Sequence, residues 1–282
     1  MNVLAIDIGG TKMSAGIVTG DGALLERREA PTTRTLDAEE LFGSLVSLVR
    51  GLDLAGVVAC GVGCGGPMDR GGEHVSPVNI HAWRGFPLRR RLAEVTGLPT
   101  YVDNDAKALA LGEGWLGAAA GCDNFIGMVV STGVGGGIVL DGRLLDGVDG
   151  NAGHIGHVIV EPDGHVCGCG ARGCLEAEAS GTAIARITGR EPKDASPDVV
   201  ERTGTLVGRA VASVANLLDL RLAVVAGSVA LGYGEPFFAA AQREIDERCQ
   251  LDFTRGRVRI VAAKLGRDAP LVGAARVALL HV

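Results

Sequence analysis

The sequence lacks the features that mark membrane, secreted and nucleic-acid-binding proteins. No apolar run approaches the ~20 residues that a transmembrane helix needs, and the apolar run at 3–8 has no basic region before it and no cleavage site after it. Charged residues make up 21% of the chain and the net charge is −6, so no electrostatic feature favours nucleic acid or an anionic membrane as a partner. Because 47% of the residues are apolar, the chain can bury a hydrophobic core. The missing signal peptide and membrane span lead us to expect a cytoplasmic enzyme.

Two common phosphate-binding signatures are also missing. There is no G-x-x-x-x-G-K-[ST], and no G-x-G-x-x-G follows the first predicted strand, which disfavours Walker-type and dinucleotide-binding folds. Instead, Asp7, Gly9, Gly10, Thr11 and Lys12 follow the strand predicted at 3–8. The glycines allow a close approach to phosphate, Thr11 and Lys12 add donors, and Asp7 could hold Mg²⁺ through water. Taken alone, a Gly-Gly pair fits a plain hairpin turn equally well.

The same order of strand, glycine loop and hairpin occurs a second time. A strand is predicted at 126–131, followed by a loop at 132–137 that contains Thr132, Gly133 and Gly135. Helices are predicted at 38–50, 88–95, 106–115 and 206–218, with strands at 57–62, 99–102 and 223–226 between them. Alternating strands and helices with glycine loops at strand ends predict an α/β fold that binds ligands there. The paired loops favour an actin- or hexokinase-like nucleotide clamp.

An acidic cluster follows the strand predicted at 99–102. In phosphoryl transfer to a sugar hydroxyl, a carboxylate within hydrogen-bond reach can accept the hydroxyl proton. Asp105 could play that part and Asn104 could orient a neighbouring hydroxyl, but both types are also favoured helix N-caps. Asp103 leaves open which acid is the active one.

Three of the seven cysteines fall within eight residues. Cys167, Cys169 and Cys174 form C-x-C-x₄-C, and with one imidazole they would complete a tetrahedral structural Zn²⁺ site. His157 lies ten residues before the cluster and His165 lies closer in sequence, so either could be the fourth ligand. Chance clustering of reduced cysteines is the alternative.

Four segments together resemble the ROK family of repressors, uncharacterised open reading frames and kinases, and the resemblance runs from Val3 nearly to the end. They are DIGGTK at 7–12, VDNDAKALALGE at 102–113, STGVGGGIV at 131–139 and GHIGHVIVEPDGHVCGCGARGCLEAEASG at 153–181. The resemblance implies a two-lobed, actin-like ATPase fold of the ribonuclease H-like type, with duplicated βββαβα halves and a zinc-binding loop. We expect a smaller lobe at 1–105 plus 269–282 and a larger lobe at 106–268.

The resemblance also implies an activity and a set of site residues. An ATP-dependent kinase would transfer the γ-phosphate to the 6-hydroxyl of a hexose or N-acetylhexosamine, with ATP, Mg²⁺ and structural Zn²⁺. Asp105 would take the proton, and His157 would bind zinc through one ring nitrogen and face the sugar with the other, which favours it over His165. Family members are often dimers or tetramers, so by analogy a homodimer or homotetramer is expected. The positions that match sugar-binding residues are Gly66, Asn79, Asn104, His157 and Glu176.

Three departures from the family pattern bear on specificity. Many glucose-phosphorylating members carry Glu where this chain has His154, and the variant AGHIGH with STGVGGG resembles bacterial N-acetylmannosamine kinases; His154 could instead be a buried structural histidine. The adenosine loop is Gly-Gly in most members, whereas Ala226-Gly227-Ser228 keeps only Gly227. The segment at 181–206 is short, so helices beside the adenine could be trimmed.

Two other functions compete with a hexose kinase. A non-catalytic sugar sensor would bind without turnover, and a kinase of an amino sugar or cyclitol from secondary metabolism would share the same loops. The family's repressors carry a DNA-binding segment before the phosphate loop, which starts at residue 7 here, so a repressor is not expected. N-acetylmannosamine and glucose are the sugars that we expect first.

Overall fold

The computed structural model describes all residues from 1 to 282. The chain divides into two compact units, each assembled from more than one stretch of sequence. The first unit contains residues 1–116, 145–152 and 265–282. The second unit contains residues 117–144 and 153–264. No helix is both long enough and apolar enough to cross a membrane.

The first unit is built on a five-stranded mixed sheet in the order β3-β2-β1-β4-β5. Its strands are β1 (Asn2–Ile8), β2 (Lys12–Thr19), β3 (Leu24–Pro31), β4 (Val57–Cys64) and β5 (Thr100–Asn104). Its helices are α1 (Ala38–Arg50), α2 (Leu88–Thr96), α3 (Asp105–Leu116) and α9 (Ala269–Leu279). The β1-β2-β3 meander is antiparallel, whereas β4 and β5 continue the sheet in parallel with β1.

The first sheet is covered on both faces, because successive side chains of a strand point to opposite sides. Leu4 and Ile6 of β1 join a core with α1 and α2, while Val3 and Ala5 join a second core formed with α9. The charged residues of α1 lie at its ends, and Asp37 caps its N-terminus by accepting hydrogen bonds from two backbone N–H groups. The buried strands β1 and β4 therefore offer ligands their ends and not their faces.

The second unit repeats this topology with the sheet order β10-β9-β6-β7-β8. Its strands are β6 (Phe125–Val130), β7 (Val134–Leu140), β8 (Arg143–Leu144), β9 (Leu222–Ala226) and β10 (Arg259–Ala262). Its helices are α4 (Leu175–Ala179), α5 (Gly181–Thr188), α6 (Pro197–Leu218), α7 (Ser228–Tyr233) and α8 (Glu235–Arg248). Starting from β8, the order is β8-β7-β6-β9-β10, which is the order of the first sheet with five added to each strand number. This match confirms the expected duplication.

Several predicted bounds differ from the structure. The loop predicted at 132–137 is only a short turn, because β7 already begins at Val134 and Gly135 pairs with Val129 of β6. Glycines occupy this strand for packing reasons, since a Cβ at Gly136 would lie 3.0 Å from Ile155 and 3.1 Å from the Gly153 carbonyl. The segment at 181–206 is mostly helical and contains α5 and the start of α6. The predicted lobe boundaries after residues 105 and 268 stay a prediction.

Candidate active site

The first glycine loop lies between β1 and β2 and is fixed by hydrogen bonds to its backbone groups. Gly9 N donates to Lys12 O at 3.0 Å, and Thr32 Oγ1 donates to Gly9 O at 2.7 Å. A Cβ at Gly10 would lie only 2.7 Å from the Cβ of Asn79, so this close approach requires glycine. The Lys12 ammonium pairs with Glu29 at 3.2 Å on the exposed edge of the sheet. The loop is therefore ordered while Thr11 and Lys12 stay accessible.

Asp7 lies at the end of β1, beside the same loop. Burial raises its pKa to about 7, and the neighbouring Asp105 carboxylate adds to the rise. Both acids lie beside Gly63 of β4, since a Cβ there would be 3.7 Å from Asp7 Oδ1 and 3.6 Å from Asp105 Cα. Because the Asp105 carboxylate raises the pKa of Asp7, a bound cation would offset the repulsion between the two acids. The two carboxylates therefore fit the predicted Mg²⁺.

The three polar residues after β5 have different surroundings. Asp103 Oδ1 accepts from Lys107 Nζ at 3.1 Å and from Asn104 N at 2.7 Å. Asn104 caps α3, since its Oδ1 accepts from Ala106 N at 3.0 Å. Asp105 begins α3 and is exposed. The N-cap interpretation is therefore correct for Asn104. Of the two acids, Asp105 is exposed and Asp103 is only partly exposed.

Two further predicted sugar contacts lie on the loop that follows β4. Asn79 is exposed and packs against Gly10 of the glycine loop. The carbonyl of Gly66 accepts from Val78 N at 3.1 Å, which closes this loop one residue before Asn79. The first unit thus brings Asp7, the first glycine loop and Asn79 to one region of its surface.

The second glycine turn is held from two sides in the second unit. Ser131 N donates to Gly133 O at 2.9 Å, and the Oγ atoms of Ser131 and Ser228 lie 2.9 Å apart. From α5, Gly181 N donates to Ser131 O at 2.7 Å, and Thr182 Oγ1 donates to Thr132 O at 2.9 Å. These contacts fix the turn at the end of β6 and leave its residues partly exposed.

Gly227 connects β9 to α7 next to this turn. Its φ of +102° lies in the region that favours glycine, and a Cβ there would clash with the Val130 carbonyl. A side chain at this position would therefore push β9 away from β6. Of the family's two glycines, the loop Ala226-Gly227-Ser228 therefore retains the one that its backbone conformation requires.

Glu176 connects the second glycine turn to the cysteine cluster. Its Oε2 accepts from Val134 N at 3.0 Å and would lie 2.9 Å from a Cβ at Gly133. Glu176 belongs to α4, whose N-cap is Cys174. A short helix therefore joins a predicted metal ligand directly to the second glycine turn.

The cluster itself has the spacing of a tetrahedral zinc site. One ligand atom from each of His157, Cys167, Cys169 and Cys174 lies within 4.8 Å of the others. Cys169 Sγ and Cys174 Sγ are 3.7 Å apart, and Cys167 Sγ is 3.7 Å from His157 Nδ1. Zn–S bonds of ~2.3 Å in a tetrahedron place two sulfurs ~3.8 Å apart, so the four side chains fit zinc.

His165 is engaged elsewhere. Its Nδ1 lies 3.0 Å from Glu178 Oε1, and its backbone N donates to the same oxygen at 2.5 Å. Glu178 is fully buried and also accepts from Arg202 at 2.6 Å. Burial alone would raise the pKa of Glu178, but these hydrogen bonds outweigh burial and lower it. The structure thus groups His157, and not His165, with the cysteines.

His154 begins the 3-10 turn that carries His157. It is exposed, so the alternative of a buried structural histidine is wrong. The two imidazole rings are nearly parallel, at 17°, with centroids 6.1 Å apart. The two rings therefore lie close enough for one small molecule to touch both.

Sequence reasoning missed two charged residues that shape these sites. Lys107 is only 2% exposed and pairs with Asp103 and Asp146. Glu178 anchors the loop before the cysteine cluster through His165. Their sequence context, a lysine on a predicted helix and a glutamate after a cysteine motif, gives no sign of burial.

Comparison with known proteins identifies the class. The ROK family model matches residues 3–280, and the chain belongs to the ROK family. It is 35% identical over 293 residues to the N-acetylmannosamine kinase of Escherichia fergusonii, covering 99% of this chain and 98% of that one.

Two solved structures have the same fold. The ROK hexokinase of Thermus thermophilus superposes with a TM-score of 0.88 at 35% identity, covering 99% of this chain and 98% of that one. A ROK family glucokinase of Streptomyces griseus, in complex with glucose and AMPPNP, gives a TM-score of 0.85 at 32% identity, covering 99% of both chains. The predicted actin-like ATPase fold is confirmed.

Proposed function

We propose that this protein is an ATP-dependent sugar kinase that phosphorylates the 6-hydroxyl of a hexose or an N-acetylhexosamine. The observation that carries the proposal is the grouping of Asp105, exposed at the start of α3, with Asp7 and the first glycine loop in one unit. The family membership and the similarity to sugar kinases of full length support it.

Asp105 accepts the proton of the sugar hydroxyl while the hydroxyl oxygen forms its bond to the γ-phosphorus. The bond to the bridging oxygen breaks, and ADP leaves with the electron pair. Positioning and charge neutralisation supply most of the rate in such transfers. Asp7 would hold Mg²⁺, which neutralises phosphate charge when bound. The phosphate and adenosine contacts are assigned to Gly9, Gly10, Thr11, Lys12, Thr132, Gly133, Gly135 and Gly227.

We assign the sugar contacts to polar groups that their own units hold in place. Asn104 is fixed by capping α3, and its Nδ2 can donate to a hydroxyl. His157 would bind zinc through Nδ1, which fixes the ring and directs Nε2 toward the sugar. Zn²⁺ would be structural, because the four ligands leave no open position. The remaining assigned contacts are Gly66, Asn79, His154 and Glu176.

His154 is the basis for ranking N-acetylmannosamine with glucose as the expected substrates. An imidazole N–H can donate to an acetamido oxygen, whereas a glutamate would accept from two hydroxyls. The exposure of His154 supports a contact with ligand. The cytoplasmic location and the homodimeric or homotetrameric state stay predictions.

An ADP-release assay over a panel of hexoses and N-acetylhexosamines tests the activity. At least one sugar should stimulate ADP formation, and Asp105→Asn should reduce kcat by ~10²–10⁴, the usual worth of a general base. If no sugar stimulates the wild type, the protein is not a sugar kinase. If Asp105→Asn retains wild-type turnover, Asp105 is not the base.

Specificity is tested by exchanging His154 for glutamate. The ratio of kcat/KM for glucose to that for N-acetylmannosamine should rise about tenfold or more in His154→Glu, as expected for one gained and one lost hydrogen bond. An unchanged ratio would show that position 154 does not set specificity.

A further inference from the structure

We propose that Lys107 is a positioning residue for sugar binding, because it clamps the loop at 145–152 (the 145–152 loop) onto the start of α3. The inference rests on the proposed function and concerns residues to which the preceding assignment gives no role. By its contacts the 145–152 loop belongs to the first unit, whereas β8 before it and His154 after it belong to the second. The chain reaches His154 two residues after the loop ends.

The clamp is an almost fully buried ammonium group with three acceptors. Lys107 Nζ contacts Asp146 Oδ1 at 2.8 Å, Asp103 Oδ1 at 3.1 Å and the Gly150 carbonyl at 3.1 Å. Asp146 and Gly150 are both in the 145–152 loop, whereas Asp103 precedes α3. A buried charge is costly unless it is paired and hydrogen-bonded, so these contacts hold the loop and the helix start at a fixed separation.

The 145–152 loop is attached to the first unit at a second place, near Gly66. Asn151 Nδ2 donates to Met68 O at 3.1 Å, and Met68 N lies 3.5 Å from Asn151 Oδ1. The 145–152 loop therefore joins two places in the first unit that carry assigned sugar contacts. One is next to Asp105 and the other is two residues from Gly66.

The loop is also closed on itself. Ala152 N donates to Asp146 O at 2.9 Å, so the two ends of the loop are tied together. Its tip is open to solvent, and Val148 is 88% exposed. With little apolar burial of its own, the loop depends on Lys107 and Asn151 for its position. Loss of the Lys107 contacts should therefore release the loop and misplace the sugar contacts on either side of it.

The test uses two variants and their combination. Lys107→Met keeps the aliphatic stem and removes the charge. Asp146→Asn removes one charged partner of Lys107 at a side chain that is 55% exposed. We expect the sugar KM to rise about tenfold or more, because the displaced sugar contacts weaken binding and a loss of about 1.4 kcal/mol is a factor of ten in affinity. The ATP KM should stay within about twofold. Hydrogen exchange in the 145–152 loop should accelerate, and the double variant should match Lys107→Met. Arg90→Met, which removes an exposed ion pair with Glu94 at 3.7 Å, is the control.

Three outcomes would overturn the proposal. They are a wild-type sugar KM in Lys107→Met, unchanged exchange in the loop, and additive effects in the double variant. If Lys107→Met does not fold, Asp146→Asn decides alone, since it should raise the sugar KM and loop exchange to a smaller extent. An inactive wild type would refute the proposed kinase, whereas the exchange measurement would still decide whether Lys107 clamps the loop.

Discussion

Replacing Asp7 with asparagine should change how the stability of the first unit depends on pH. The pKa of Asp7 rises from 3.8 to about 7 in the folded protein because the carboxyl is buried and lies beside Asp105. Between these values the folded state binds more protons than the unfolded state. Stability is therefore lost as the pH rises from about 4 to about 7. Asp7→Asn has no proton to lose and should not show this loss.

The magnitude follows from linkage. A folded pKa of about 7 against 3.8 in the unfolded state costs about 3 kcal/mol between pH 5 and pH 8. The side chain keeps partial contact with water, so ~2 kcal/mol is the expected change. The cost of burying an amide without a full set of partners applies at both pH values. It cancels when the wild type and variant are compared across pH.

The assay is urea unfolding at pH 5 and pH 8, without Mg²⁺ or nucleotide, followed by tryptophan fluorescence. Both tryptophans, Trp83 and Trp115, belong to the first unit, so the signal reports on the unit that contains Asp7. The advantage of Asp7→Asn over wild type should grow by ~2 kcal/mol from pH 5 to pH 8. Asp53→Asn, an exposed change in the same unit, should follow the wild type. If the stability difference between Asp7→Asn and wild type grows by less than about 0.5 kcal/mol from pH 5 to pH 8, the reasoning is refuted.

The remaining predictions concern the cysteine cluster and one helix cap. Cys169→Ser should reduce zinc from about one ion per chain to near zero by metal analysis, whereas Cys122→Ser should keep it; full retention of zinc in Cys169→Ser would contradict the ligand set. Glu178→Gln should lower the free energy of unfolding by about 1–3 kcal/mol, because the Arg202 guanidinium loses a charged acceptor; wild-type stability would show that this buried contact is not stabilising. Asp37→Ala should cost about 1 kcal/mol through the lost N-cap of α1, and no shift in the urea midpoint would contradict the capping assignment.

Local patterns in the sequence predicted much of the fold. The helix at 38–50 forms as predicted, because its apolar period and the preceding Asp37 are local signals. The first glycine loop and the duplicated halves were predictable for the same reason. The start of β7 was not, because a glycine-rich strand is explained only by the close approach of Ile155 and Gly153 to Gly136.

The candidate site could be predicted only where residue type alone limits the chemistry. Three cysteines and a histidine predicted a metal cluster, and the structure decided between His157 and His165 through the contact of His165 with Glu178. The burial of Lys107 could not be predicted, because its partner Asp146 lies 39 residues away in the sequence. Contacts of this kind depend on the fold of the whole unit.

The most direct test of the central claim is to identify the product. Wild-type protein incubated with Mg²⁺, ATP and either N-acetylmannosamine or glucose should form the sugar 6-phosphate, identified by mass spectrometry and by phosphorus NMR. ADP should appear in equal amount, and Asp105→Asn should form at least ~10² less product in the same time. Phosphate on another hydroxyl would contradict the assigned acceptor. The absence of any sugar phosphate, under conditions in which the protein is folded and contains zinc, would contradict the account.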